Sequence, residues 1–490
     1  VIKAIENKSN RFTYKELAQL AQEMAGTKNR TETRAEKDAS GLQDVIIQLP
    51  EGRLFHQPEV FKDTLRQLKK DGFKLERQFP KLQLLSGRIN PETVEKLESC
   101  GFTVHDNSEQ EFLPPVSVST PQEVSSRGKG QAGLKPWEMR QVDPAAMIGV
   151  TELRKTEGLT GKGVGIAVID SGFDYPDYQP AYWQDFTETK APAPEDQLGH
   201  GTHVIGDIVQ MAPEARILAL RVLGPDGGGR TADIVKALQW VIENKDKQGI
   251  QIVNLSLGSP AILPWQNDML GKVVNLALEA GITVVCPVGN DGPKAKTIAS
   301  PADVPHAIAV GSLKDDKTVS DFSGRGPTFA GDAKPDVMAP GEYLVSWTSK
   351  SSLLAYNGRQ CDRVRKMNPD ELRTYFKKNM ALAMRLKLPI DILRYPDEKM
   401  EERIKMSLPG YYYPEEGRLA APGTSFSGPE VAGVAALLLE KNPNLTPREV
   451  QSALMETARK VEGYSQMEQG RGLVQAQKAV RKVNKDDSSN

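Results

Sequence analysis

Two kinds of apolar pattern divide this chain. Between residues 43 and 106, short alternating runs give way to helical spacing and back again. "DVIIQL" predicts a strand, and "PEVFKDTLRQLKKDG" a helix with Phe61, Leu65 and Leu68 inward and Gly72 closing it. "FKLERQFPKLQLLSGRI" predicts two strands joined by a turn, "PETVEKLESCG" a second helix and "FTVHDN" a last strand. That order, β-α-β-β-α-β, is the split ferredoxin-like unit, a small α+β domain. After about residue 143 the strands change character. "GVGIAVID", "ARILALRVL", "IQIVNLSLG", "GITVVCPVGN" and "HAIAVGSL" are almost unbroken Val, Ile and Leu, separated by helices such as "TADIVKALQWVIEN" and "DMLGKVVNLALEAG". Strands that lack polar alternation are covered on both faces, so this region is predicted to be α/β, with a mostly parallel central sheet between two helical layers.

The stretches between these regions carry less pattern. "TYKELAQLAQEMAG" puts Leu17, Leu20, Ala21 and Met24 on one helical face, and the charged "TKNRTETRAEKDASG" that follows predicts a connection. "FLPPVSVSTPQEVSSRGKGQAGLKP" is rich in Pro, Ser, Gly and Gln and predicts an exposed linker, open to cleavage. The expected organisation is a helical extension and linker over 1–42, the small α+β domain over 43–113, a linker over 114–142 and the α/β domain over 143–485.

Composition narrows the classes of function. The net charge of −1 over 490 residues gives no global reason to expect nucleic acid as a partner. No apolar run reaches the roughly 18–20 residues of a transmembrane segment. Cys100, Cys286 and Cys361 are far apart and odd in number, which fits neither a disulfide framework nor a metal knuckle, and Cys286 reads as a buried, inert thiol. Few cysteines and no signal in this chain fit either a bacterial cytoplasm or a secreted precursor whose signal is not included.

In parallel sheets chemistry collects beyond the carboxyl ends of the strands. Asp170 ends "GVGIAVID", Asn290 ends "GITVVCPVGN", and "DQLGHGTHVIG" places His200 and His203 between them in sequence. Ser425 in "AAPGTSFSGPEVAG" stands where a tight turn enters an apolar helix. Singly, these are a turn residue, a strand terminator and an N-cap. The histidine pair alone could be a metal clip, half of a catalytic centre or simply packed. Together the residues supply an acid, a base, a nucleophile and an amide donor. A serine hydroxyl becomes nucleophilic when an imidazole takes its proton, and the imidazole needs a carboxylate to hold its tautomer. Asn290 and the Ser425 backbone N–H would serve a developing oxyanion.

"AVIDSG", "GHGTHVIG", "NLSLG", "VGNDGP" and "APGTSFSGPEVAG" resemble, in order and spacing, the motif set of the subtilisin-like serine peptidases over roughly residues 143–480. The resemblance implies a serine endopeptidase acting on polypeptides, with His200 as general base to Ser425 and His203 structural. It sets Gly228 and Gly229 on one wall of the substrate cleft, Ser256, Leu257 and Gly258 on the other, and Ala299 at the floor of the pocket for the side chain before the scissile bond. A methyl group there should shorten the pocket. Zinc is disfavoured, since no Glu follows His200 as H-E-x-x-H requires. The domain over 43–113 resembles the family's propeptide, which implies an intramolecular inhibitor removed by self-cleavage between Phe112 and about Lys135.

Two departures from the family stand out. "GHGTHVIGDIVQMAPEARI" leaves no room for the loop that helps bind a tight calcium ion in secreted subtilisins, so that site is expected to be absent. A calcium site of carbonyls near Ala302 and Val304 stays open, and no cofactor is expected to be needed for the chemistry. About residues 351–417 form an insertion whose "NPDELRTYFKKNMALAMRLKLP" predicts a helix capped by Asn368 or Asp370, with Leu372, Phe376, Met380 and Ala383 on one face. It is expected beside the leaving-group side of the cleft as a lid, an exosite or a self-association surface. The rival to the enzyme reading is a catalytically silent scaffold with its pro-domain permanently bound.

Overall fold

The computed structural model describes residues 42–49, 58–79, 83–99, 102–112, 143–385, 388–389, 391–408 and 411–486. The expected helix around Leu17–Met24, the charged connection after it, Cys100 and the linker from 113 to 142 lie outside the described residues. Contacts divide the chain into two units.

The small unit contains β1 (Gln43–Gln48), α1 (Pro58–Lys70), β2 (Lys74–Phe79), β3 (Leu84–Ile89), α2 (Pro91–Ser99) and β4 (Thr103–Asp106). Its sheet runs β2-β3-β1-β4 with every neighbouring pair antiparallel. Val45 and Ile47, alternating along β1, pack with Phe61 and Leu68 of α1 and Leu97 of α2 in one core. The strand period of two meets the helical period of three to four on that face.

The large unit is built on a seven-stranded sheet. Its strands are β5 (Gly165–Asp170), β6 (Tyr182–Asp185), β7 (Arg216–Arg221), β8 (Ile250–Asn254), β9 (Thr283–Pro287), β10 (Ile308–Leu313) and β11 (Val337–Pro340). The order is β11-β10-β9-β8-β5-β7-β6, and each neighbouring pair is parallel. Every residue of β5, β9 and β10 is buried, which accounts for their lack of polar alternation. The chain fills one side of β5 with β6 and β7, then crosses to start the other side with β8. The carboxyl end of β5 therefore stands at the switch point where such sheets hold their ligands.

Two helices bring the remaining candidate residues there. Helix α3 (His200–Met211) begins with His200, and α4 (Thr424–Lys441) carries Ser425 in its first turn. From Thr424 to Leu439 every residue of α4 is buried, as in a central helix covered on all sides. Val431, Val434 and Leu438 of α4 share one core with Ile205 and Ile208 of α3 and Ile308 and Val310 of the sheet.

The insertion lies between β12 (Leu344–Trp347) and β14 (Arg418–Ala421), which pair antiparallel and bring its two ends together. It comprises α5 (Leu353–Lys366), α6 (Pro369–Lys378), α7 (Met380–Arg385), α8 (Asp397–Ser407) and β13 (Tyr412–Glu415). Asn368 caps α6 and exchanges hydrogen bonds with Glu371 in a reciprocal capping box. The helix stops at Lys378, where Asn379 leaves helical geometry, so Met380 and Ala383 fall on the next helix. Ala383 still joins Leu372 and Phe376 in a core of the insertion's own, with Val364, Ile392, Met400 and Ile404.

Candidate active site

Asp170 ends the buried strand β5, and its Oδ1 lies 2.8 Å from Nδ1 of His200. The carboxylate can only accept, so Nδ1–H donates and Nε2 is left as the basic nitrogen. The Ser171 N–H donates to the same oxygen at 2.7 Å. Burial pulls the His200 imidazolium pKa down, but the adjoining Asp170 carboxylate outweighs it, and the net direction is upward from 6.5.

The end of β5 and the start of α3 are fastened by Asp196, a residue that the sequence reading passed over. Its Oδ1 accepts from Ser171 Oγ (2.9 Å) and Gly199 N–H (2.8 Å), and its Oδ2 from the N–H (2.8 Å) and hydroxyl (2.7 Å) of Thr202. Ser171 Oγ in turn accepts from Gly201 N–H at 2.9 Å. The signal was a carboxylate four residues before His200, in the loop that must turn into its helix.

His203 faces elsewhere. Its Nε2 lies 3.2 and 3.0 Å from the carbonyls of Leu344 and Leu419, and its Nδ1 lies 2.9 Å from Asp207 Oδ2. With both its nitrogens engaged, and Nδ1 of His200 held by Asp170, the pair has no geometry for a shared metal. Among the described residues no group of three or more His, Cys, Asp or Glu is placed to hold one.

Ser425 is buried at the second position of α4, where backbone N–H groups have no partner within the helix. Its own carbonyl accepts from Ser256 Oγ at 2.8 Å. The next residue, Phe426, packs its ring against His200 with centroids 5.2 Å apart. Asn290 Oδ1 accepts from both the N–H and the hydroxyl of Thr424, each at 2.9 Å. Asn290 is thereby held against the residue that precedes Ser425. The structure thus gathers Asp170, His200, Asn290, Ser256 and the Ser425 turn.

The expected cleft walls are backbone edges. Gly227 carbonyl accepts from Phe112 N–H (3.3 Å), and Gly258 N–H donates to the Phe112 carbonyl (3.2 Å). An extended stretch of this same chain therefore lies between the Gly227–Gly229 and Ser256–Gly258 segments, with Phe112 fully buried. Ser256 and Leu257 are buried, and Ala299, on a short strand paired with Ser259–Pro260, packs between Gly258 and Gly289. Cys286 is buried and free, and burial pushes its thiol well above the ordinary range. No helix among the described residues is long and apolar enough to cross a membrane.

Comparison with known proteins bears on the same region. The profile described as "Subtilase family" matches residues 161–472. Serine protease AprX of Bacillus subtilis (strain 168) is 33% identical over 354 residues, covering 67% of this chain and 68% of that protein. M-protease of Shouchella clausii (strain KSM-K16) is 28% identical across 82% of this chain and 81% of its own length. Subtilisin E of Bacillus subtilis (strain 168) is 26% identical across 86% and 89%.

Proposed function

Since the chain belongs to the subtilase family and is a serine endopeptidase, we propose that it cleaves peptide bonds through Ser425, His200 and Asp170, and that it is a precursor that processes itself. The observation that carries this reading is the 2.8 Å Asp170–His200 pair at the switch point of the sheet, with the Ser425 turn tied beside it by Asn290 and Ser256.

In this mechanism Nε2 of His200 takes the Ser425 hydroxyl proton as the oxygen attacks the scissile carbonyl. Asp170 keeps the imidazole in the right tautomer and stabilises its cation. The Asn290 NH2 and the Ser425 N–H receive the oxyanion. His200 then gives the proton to the leaving amine, and water repeats the sequence on the acyl-enzyme. Each step uses groups of this chain, so no cofactor is required for the chemistry. Helix α3 ends at Met211 and β7 starts at Arg216, which supports the absence of the usual calcium loop between them.

The substrate is a polypeptide, added as a strand between the two backbone edges. The segment carrying Phe112 has that geometry, which supports residues 43–113 as a propeptide whose tail inhibits the site until it is cut. The test is direct. The intact chain on incubation should lose about a quarter of its mass, and Ser425→Ala should stay full length with peptide hydrolysis down by at least about 10⁴-fold, a magnitude set by subtilisin itself. An Ser425→Ala chain that still matures alone would overturn the assignment. A wild-type chain that never matures and cleaves nothing would favour the silent scaffold.

A further inference from the structure

The insertion begins against the approach to His200. Leu353 N–H donates to the Gln197 carbonyl at 2.8 Å and Leu354 N–H to the Leu198 carbonyl at 3.0 Å. Ser352, the N-cap of α5, packs so closely under Gly199 that a Cβ there would lie 2.5 Å from its Oγ. Leu354 is buried in the main core, so the first turn of α5 is anchored to the body of the large unit. On the outer face of that turn Leu353 and Tyr356, three residues apart, are 43% and 53% exposed. They account for two of the five large apolar side chains that stand exposed among the described residues, and a paired exposure next to a catalytic loop calls for a ligand more than a scattered one does.

The chemistry of peptide cleavage says what passes over them. His200 protonates the leaving amine, so the chain beyond the scissile bond departs on the His200 side. The acyl side already has its walls in the Gly227 and Gly258 edges, where Phe112 lies. Resting on the hydrolase reading above, we infer that Leu353 and Tyr356 form a binding surface for apolar side chains on the first two residues after the scissile bond. A Leu or Phe there covers apolar area on α5, and a Ser at the same place covers little. The expected discrimination is roughly tenfold or more in kcat/KM, the scale of a small apolar subsite.

The test uses the full chain and quenched fluorescent peptides that share one acyl side and carry Leu, Phe or Ser at the two positions after the cleaved bond. Rates are divided by that for a nitroanilide with the same acyl side, which has no residues beyond the bond. Wild type should favour Leu and Phe over Ser by about tenfold, and Leu353→Ser and Tyr356→Ala should each reduce that ratio at least threefold. Nitroanilide cleavage with a flat peptide profile, or a preference that survives in both variants, overturns the inference alone. Failure of wild type to cleave either kind of substrate removes the hydrolase reading, and this inference with it.

Discussion

Two buried ionisable groups respond to pH in opposite ways. In the proposed mechanism His200 must be neutral to act as a base, and Asp170 holds its pKa above 6.5, so the acid limb of kcat/KM should lie above that pH. Asp170→Asn removes the charge that favours the imidazolium. The limb should move to lower pH while kcat falls by about 10⁴-fold, read from a pH–rate profile. Glu430 on α4 is fully buried, with neither carboxylate oxygen hydrogen-bonded. Burial first, then the charges of Asp207 and Asp143, push its pKa well above 4.5. A carboxyl raised on folding stabilises the protein fully below the unfolded value, and that contribution is lost as pH rises toward the folded one. The chain should lose about 1.4 kcal/mol per pH unit across that window. Glu430→Gln should flatten this slope in a series of Tm measurements, and an unchanged slope would mean Glu430 is ionised throughout.

Secondary structure positions the chemistry, and here two histidines three residues apart do different work. His200, at the first position of α3, meets the end of β5, whereas His203, less than one turn on, ties α3 to the strands β12 and β14 that bracket the insertion. His203→Ala would strand the Asp207 carboxylate in the core and free two carbonyls, at a cost of about 3–5 kcal/mol. A drop in Tm with kcat per folded molecule largely retained would match this role, and a selective loss of kcat would reverse the two histidine assignments. The strand ends at Asp170 and the capping residue Asn368 were legible from local pattern because each depends on its immediate neighbours. The stop at Lys378 was not. Leu372, Phe376, Met380 and Ala383 keep helical spacing across it, and the break at Asn379 changes nothing in that apolar count.

Across the large unit, function depends on chain order within the sheet. Unbroken Val and Ile runs predict parallel strands, but they do not state that β5 lies between β7 and β8. That arrangement joins Asp170 to His200, thirty residues apart, and sets Ser425 within reach of Asn290 and Ser256. The insertion adds a second core to this frame. Phe376→Ala should open a cavity there costing about 3–5 kcal/mol, seen as faster hydrogen exchange in α5–α8 than in β5. Equal acceleration in both would show that the two cores unfold as one.

Residue order alone established the alternation of strands and helices, the motif residues at their ends and hence the family, because periodicity and spacing are properties of short windows. It was silent on Asp196 as the fastening of Ser171, Gly199 and Thr202, on the unpartnered Glu430, and on Leu353 beside Gln197. Those depend on which distant segments share a boundary once the core closes, and a hydrogen bond or a buried charge has no signature in the chain until its partner, or the lack of one, is brought alongside.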